Sequence, residues 1–215
     1  LGFEVKKDEE LEIKEVRDTI NKLRAKNLDD DSFIKKFSDI FKENKMESIS
    51  EGTFFSSILF ISALDETNKI EIFLEKFENA ESPQMQGRYR AVLGQVRDQN
   101  ASKKIVEFML DGRIRGADCP YILASMITNK YIGKKSWKVI KENFNDLLRV
   151  MPDWTASRIL DALPAIYDEE FAGDIKNFIK KNPLPSSEKL AAQKLERLEA
   201  NIEFMDNLKE VNNET

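Results

Sequence analysis

Three arginines, a tryptophan and a thiol are the side chains of this sequence with chemistry to offer. Arg113, Arg115 and Arg158 carry guanidinium groups, whose planar fork grips a carboxylate through two parallel hydrogen bonds. Trp154 offers an aromatic face for stacking. Cys119, between Asp118 and Pro120, falls in the first turn of a predicted helix, where the dipole's positive end can lower a thiol pKa. No base accompanies it, because the 215 residues include no histidine. That absence removes Ser-His-Asp and Cys-His constellations and every His-ligated zinc site. Gly87, Gly94, Gly112, Gly116 and Gly133 never compose a phosphate-cradling loop. No paired acids stand in a frame suited to carboxylate-based hydrolysis. Taken alone, the chain is catalytically empty.

Each candidate also has a structural role to weigh. Cys119 reads first as a small buried hydrophobe. Asp118 reads as a helix N-cap, its carboxylate accepting from backbone N–H groups two and three residues on, with Arg115 pairing to it across the preceding loop. Arg158 lies within reach of Asp153 or Asp161 for a surface ion pair. Trp137 is in register with the apolar stripe of its helix and so belongs to the core. Trp154, at a helix start, suits packing or stacking equally.

The elements that must position these groups are helices in pairs. Gly112 is placed to end one helix in a left-handed conformation, and Pro120 opens the next, where its missing N–H costs nothing. After Gly133, the residues Trp137, Ile140, Phe144, Leu147 and Leu148 recur at helical spacing. Two helices joined by so few residues lie antiparallel and share a buried face. The same grammar recurs along the chain. Leu11, Ile13, Val16, Ile20 and Leu23 form a stripe ending near Asn27. Asp29-Asp30-Asp31 offers a cap and acidic first turn for a helix carrying Phe33, Ile34, Phe37, Ile40 and Phe41. A loop around Glu47–Gly52 leads to residues 53–64, dense enough in aromatic and branched side chains to resemble a strand. Their length and helical surroundings predict a buried helix, with the phenylalanines of 54–60 read as core ahead of a docking surface. Ser82-Pro83 is a second cap-and-proline start. Asn100 reads as the cap of the helix that ends at Gly112. Pro152-Asp153 begins a short helix stopped by Pro164, and Asp168-Glu169-Glu170 and Lys180-Lys181 bracket another in the sense its dipole prefers. Pro183 and Pro185 make a stiff connector, and Ser186-Ser187 caps a long final helix carrying Leu190, Leu195, Leu198, Ile202, Met205 and Leu208.

About eleven helices, with no convincing strand, predict an all-α fold. We read it as a HEAT- or armadillo-like α-solenoid of antiparallel hairpins over residues 1–215, ahead of a globular bundle. Residues 1–7 and 210–215 read as poorly ordered ends, and the start at Leu1-Gly2-Phe3 suggests an excised fragment. A net charge of −5 argues against nucleic acid as a partner. The longest apolar run is too short to span a membrane, and residues 1–12 lack a signal-peptide pattern. The single cysteine is compatible with a reducing compartment and a cytoplasmic location.

An ordered set of short segments resembles one known family. Ile114-Arg115-Gly116-Ala117-Asp118-Cys119-Pro120-Tyr121 is similar to a Val-Arg-x-Gln-Asp-x-Pro-Tyr segment in the C-terminal helical domain of gluzincin-type zinc aminopeptidases. These include puromycin-sensitive and endoplasmic-reticulum aminopeptidases and the archaeal tricorn-interacting factors. Asn129, Gly133, Trp137 and Lys141-Glu142-Asn143-Phe144-Asn145-Asp146-Leu147 continue the match. So do Ala156-Ser157-Arg158-Ile159-Leu160, Glu169 to Phe178, Asn182-Pro183-Leu184-Pro185 and Ala200-Asn201-Ile202-Glu203-Phe204. Leu1-Gly2-Phe3 resembles a Leu-Gly-Trp of that domain. Ala117 replaces the usual glutamine, Lys130 a proline, and Phe204 a tryptophan.

The resemblance implies a non-catalytic chamber domain. In such enzymes zinc and the substrate-amine motif lie in a separate domain, and the helical domain curves into a bowl that encloses peptides. Partners would then be peptide substrates and the catalytic domain of the same polypeptide, with zinc in the parent enzyme and no cofactor in this chain. Arg158 would face the cavity, Arg115 and Arg113 would stand on its wall, and Trp154 would stack on peptide side chains. A stand-alone HEAT-like scaffold or adaptor is the alternative. The sequence leaves the oligomeric state open.

Overall fold

Side-chain caps set the starts of three of the helices. The computed structural model describes residues 9–43, 52–184 and 187–213, with side chains to residue 208. The Glu47–Gly52 loop before Gly52, the Leu1-Gly2-Phe3 start, Pro185, Ser186 and the ends 1–7 and 214–215 lie outside the described residues. Twelve α-helices and two 3-10 segments, and no strand, occur among those described. The fold is all-α, as expected, and the dense 53–64 run is helical.

The first compact unit comprises Leu1–Ala101. It contains α1 (Leu11–Leu28), α2 (Asp31–Lys42), α3 (Gly52–Ala63), α4 (Ile70–Glu78) and α5 (Pro83–Val92), then a 3-10 turn at Leu93–Gln95. Asp30 caps α2 by accepting from Phe33 N at 3.0 Å, and Ser82 caps α5 through Met85 N at 3.2 Å, with Pro83 in the first turn. Helix α3 packs on α1, α2 and α5. Phe55, Ile58, Leu59 and Ile61 are buried, whereas Phe54 and Phe60 are half-buried, so most of the segment, but only one of its three phenylalanines, is core. Phe41 stacks on Phe73 with centroids 5.1 Å apart. Polar ties fix the register of these apolar faces. Ser62 Oγ donates to Phe37 O at 3.1 Å, and Asn68 Nδ2 donates to Ser38 Oγ at 2.9 Å and Ser62 O at 2.8 Å.

Helix α1 departs from the pattern. Its buried residues are Arg17, Asn21 and Ala25, and Arg17 pairs with Glu9. The apolar stripe of Leu11, Ile13, Val16, Ile20 and Leu23 is exposed.

The second unit comprises Ser102–Thr215. Its elements are α6 (Ala101–Leu110), α7 (Cys119–Ile127), α8 (Gly133–Glu142), α9 (Phe144–Val150), α10 (Asp153–Ala156), a 3-10 helix at Ser157–Ala165, α11 (Glu169–Lys181) and α12 (Glu188–Asn213). Helix α7 packs on α8 and on the 3-10 helix, which in turn supports α12; α12 also packs on α11. Each packing partner lies a few elements away in the chain, the local pattern of stacked helical pairs. Trp137 is buried, donates its indole N–H to Asp174 at 3.0 Å and meets Phe178 edge-on at 5.2 Å. Phe144 meets the same ring at 5.0 Å, so α8, α9 and α11 share one aromatic cluster. Asp168 caps α11 through Phe171 N at 2.8 Å. Helix α12 continues to Asn213, through part of the stretch read as a poorly ordered end. Leu195 and Leu198 are the anchors of its buried face, and Leu208 is exposed.

Candidate functional site

The α6–α7 loop is shaped at Gly112, which takes φ 74°, a left-handed conformation that glycine enters without steric cost. Arg113 N and Ile114 N both donate to Phe108 O, at 3.0 and 3.2 Å, closing the end of α6. Ile114 is buried and pins the loop. Arg113 lies outside it, with its guanidinium 3.4 Å from the Phe108 ring centroid, a cation–π arrangement.

Gly116 then makes a close approach. A β-carbon there would lie 2.0 Å from Val150 O and 3.3 Å from Pro152 Cδ. The α6–α7 loop, which carries Arg113 and Arg115, therefore touches the α9–α10 junction, and Trp154 lies in the first turn of α10 just beyond it. Trp154 is 75% exposed. Proline at 152 and the Thr155 Oγ1 donation to its carbonyl at 2.9 Å fix the start of α10 beneath it.

Arg115 Nε donates to Asp118 Oδ2 at 2.9 Å, with the arginine side chain 77% exposed. The expected side-chain cap by Asp118 is not made. Asp118 does occupy the N-cap position of α7, but its backbone is already helical, at φ −92° and ψ −23°, where a cap carboxylate needs an extended backbone to face the first turn. The residue two further on is Pro120, which has no N–H to give. The carboxylate turns back to Arg115 instead.

Arg158 projects from the 3-10 helix, four residues beyond Trp154, and is exposed. It pairs with Asp161 at 3.7 Å, and Lys194 of α12 reaches the same carboxylate at 2.8 Å. Residues three apart eclipse in a 3-10 helix, which is why Asp161 is the partner and Asp153 is not. Cys119 is fully buried. Burial, and then the neighbouring Asp118 charge, push its thiol up to about 12, so the helix start gives no activated nucleophile.

A concavity elsewhere in the second unit went unread in the sequence. A cleft of about 480 Å³ opens between the α7–α8 loop and the start of α11, lined among others by Lys130, Tyr131, Lys134, Lys135, Tyr167 and Asp168. Lys134 Nζ lies 2.7 Å from Asp168 Oδ2, whose hydrogen bond raises the lysine pKa. The signal was available as three lysines in the seven residues 129–135, but only the fold sets them beside Tyr167.

The family model for the ERAP1-like C-terminal domain matches residues 1–200. The chain belongs to that family. This ERAP1-like C-terminal domain is also similar to Aminopeptidase M1-B of Oryza sativa subsp. japonica, at 22% identity over 184 residues. That match takes in 82% of this chain and 20% of the rice protein, so the chain spans about a fifth of the length of the curated relative.

The sequence has no histidine, and no three cysteine, aspartate or glutamate side chains converge among the described residues. Nor is any helix of those residues long and apolar enough to cross a membrane. The groups left exposed are guanidinium groups on the α6–α7 loop and an indole in the first turn of α10, chemistry that suits carboxylates and aromatic or apolar surfaces.

Proposed function

We propose that this ERAP1-like C-terminal domain is the substrate-chamber part of a zinc aminopeptidase, non-catalytic by itself. It encloses the C-terminal portion of a peptide whose N-terminus is cleaved in a catalytic domain elsewhere in the polypeptide. The observation that carries this reading is that Gly116 sets the loop bearing the exposed Arg113 and Arg115 against the junction that leads into the exposed Trp154 of α10, in a chain of this family. Arg158 extends the group along the same stretch of chain. A peptide contributes carbonyls, a terminal carboxylate and side chains, and these side chains meet all three without ordering a new loop. The reading includes a cytoplasmic location and peptides as the partners.

Kinetics with the longer polypeptide test it. Aminoacyl chromogenic amides report on the catalytic domain alone, whereas peptides of about ten residues reach the chamber. The double variant Arg115→Ala/Trp154→Ala is expected to raise KM for the long peptide about tenfold and leave the amide unchanged, in line with ~1–2 kcal/mol of lost contact. Equal effects on both substrates, or none, refute the chamber role. Robust turnover by the 215-residue chain with added zinc refutes the assignment as non-catalytic.

A further inference from the structure

Six of the twelve large apolar side chains exposed among the described residues lie on α1: Leu11, Ile13, Val16, Ile20, Leu23 and Leu28. Four of them form a seam. Ile13, Val16, Ile20 and Leu23 follow one another by three, four and three residues, the spacing of a helix–helix interface, and are 38%, 50%, 46% and 52% exposed. The buried residues Arg17, Asn21 and Ala25 recur every four residues on a face turned about 120° from the seam, with Arg17 at its edge. The helix thus buries an arginine and an asparagine while leaving branched aliphatics in water, the reverse of ordinary partitioning.

We propose that this outer face of α1 is a docking seam for an amphipathic helix of the polypeptide that precedes this domain in the longer protein. The inference rests on reading the chain as the C-terminal domain of a larger aminopeptidase. Three observations choose the occupant. The outermost repeat of a helical stack presents a polar outer face, and α1 presents an apolar one, so it is built as an interior layer. The match to the rice aminopeptidase takes in 20% of that protein, and the family is that of a C-terminal domain, which puts the remaining polypeptide on the α1 side of the chain. Charge fits as well. Glu12 stands near the start of α1 and Lys26 near its end, on the same side of the seam. An antiparallel helix with acids first and bases last, as helix dipoles favour, places opposite charges along that flank. Asn27 occupies the next seam position, where one polar side chain fixes register at some cost in stability.

Hydrogen exchange of the 215-residue chain and of the polypeptide encoded by its complete reading frame tests this. The α1 amides are expected to exchange at least about tenfold more slowly in the longer protein. The double variant Ile20→Lys/Leu23→Lys is expected to leave the melting temperature of the 215-residue chain unchanged and to lower that of the longer protein by about 4 °C or more. Equal α1 exchange in the two proteins, or a reading frame that adds nothing upstream, overturns the proposal. So does a dimer of the 215-residue chain that Leu23→Glu dissociates, which gives the seam to a second copy. Aminopeptidase assay of the longer protein separates the two readings. Protected α1 in an inactive protein keeps the seam and removes the chamber; exposed α1 in an active one does the opposite.

Discussion

Gly116 sits against Val150 so closely that an added β-carbon would come within 2.0 Å of the Val150 carbonyl oxygen. The obstacle is backbone, held by the last turn of α9, and no flexible side chain can move aside. Gly116→Ala is therefore expected to push the α6–α7 loop off the α9–α10 junction. Urea unfolding should show a loss of about 2–4 kcal/mol, the range for forced overpacking with a backbone shift. Gly112→Ala is expected to cost less, about 1 kcal/mol, because nothing lies within 4 Å of the added carbon and only the left-handed backbone resists it.

The Asp30 carboxylate joins the end of α1 to the start of α2. It takes both Nε and Nη2 of Arg24, then Ser32 Oγ at 2.8 Å and Phe33 N at 3.0 Å. Chiefly the Arg24 hydrogen bonds, and then those of Ser32 and Phe33, lower its pKa to about 2 from 3.8. A lowered carboxylate pKa means stability present above the unfolded value and lost as pH falls through the folded one. The contribution of this joint is therefore expected intact at pH 4–5 and to fade between about 4 and 2. A carboxyl-carbon NMR titration should place the Asp30 midpoint near 2, and Arg24→Gln should bring it back toward 3.8.

Capping chemistry was legible wherever one side chain and its own turn decide the outcome. Asp30 and Ser82 each bond the N–H three residues on, a relation contained in four consecutive residues; Asp168, read only as an acid favoured by the helix dipole, does the same. Asp118 fails for a reason equally local: Pro120 removes one expected donor, and a turn before it makes the backbone helical too early. The core positions Phe37, Phe41 and Trp137 followed from periodicity. The α1 stripe shows the limit of that argument. Periodicity states that a helix has an apolar face, but which face meets α2 and α3 depends on shape and ion pairing, here Arg17 with Glu9. The Arg158–Asp161 pair was one of two partners the spacing allowed, and the 3-10 geometry selected it. Contact between the Gly116 loop and the Val150–Pro152 junction links positions more than thirty residues apart, and no local pattern encodes it.

Cys119 is expected to be inert in the folded protein. Burial is the main reason its thiol rises to about 12 from 9.0, so thiolate is scarce at pH 8 and the sulfur is also out of reach of a reagent. A disulfide reagent such as DTNB should label it only after unfolding. The sign of the linkage follows from the same shift. Between about pH 9 and 12 the unfolded chain loses this proton while the folded chain keeps it, so stability should fall as pH rises through that window and be unaffected by Cys119 below it. Cys119→Ala is expected to flatten the alkaline limb of a denaturation profile at a cost of about 1–2 kcal/mol at neutral pH for the lost packing.

The two tryptophans make opposite predictions. Trp137 is 2% exposed, hydrogen-bonded to Asp174 and packed on Phe178. Replacing it by phenylalanine keeps most of the apolar volume but removes the indole N–H bond to Asp174, which stays half-exposed and paired with Lys141. The expected loss is about 1–2 kcal/mol, and Trp137→Ala about 3–5 kcal/mol. Trp154 is 75% exposed, and Trp154→Ala is expected to change unfolding stability by no more than about 0.5 kcal/mol. Fluorescence separates them without a ligand, because the Trp154 indole should be quenched by iodide in the folded protein and the Trp137 indole should not. A peptide that binds the α6–α7 loop and α10 should then protect Trp154 from iodide while leaving stability-determining Trp137 as it was, which links the folding argument to the recognition argument through one residue that packing does not need.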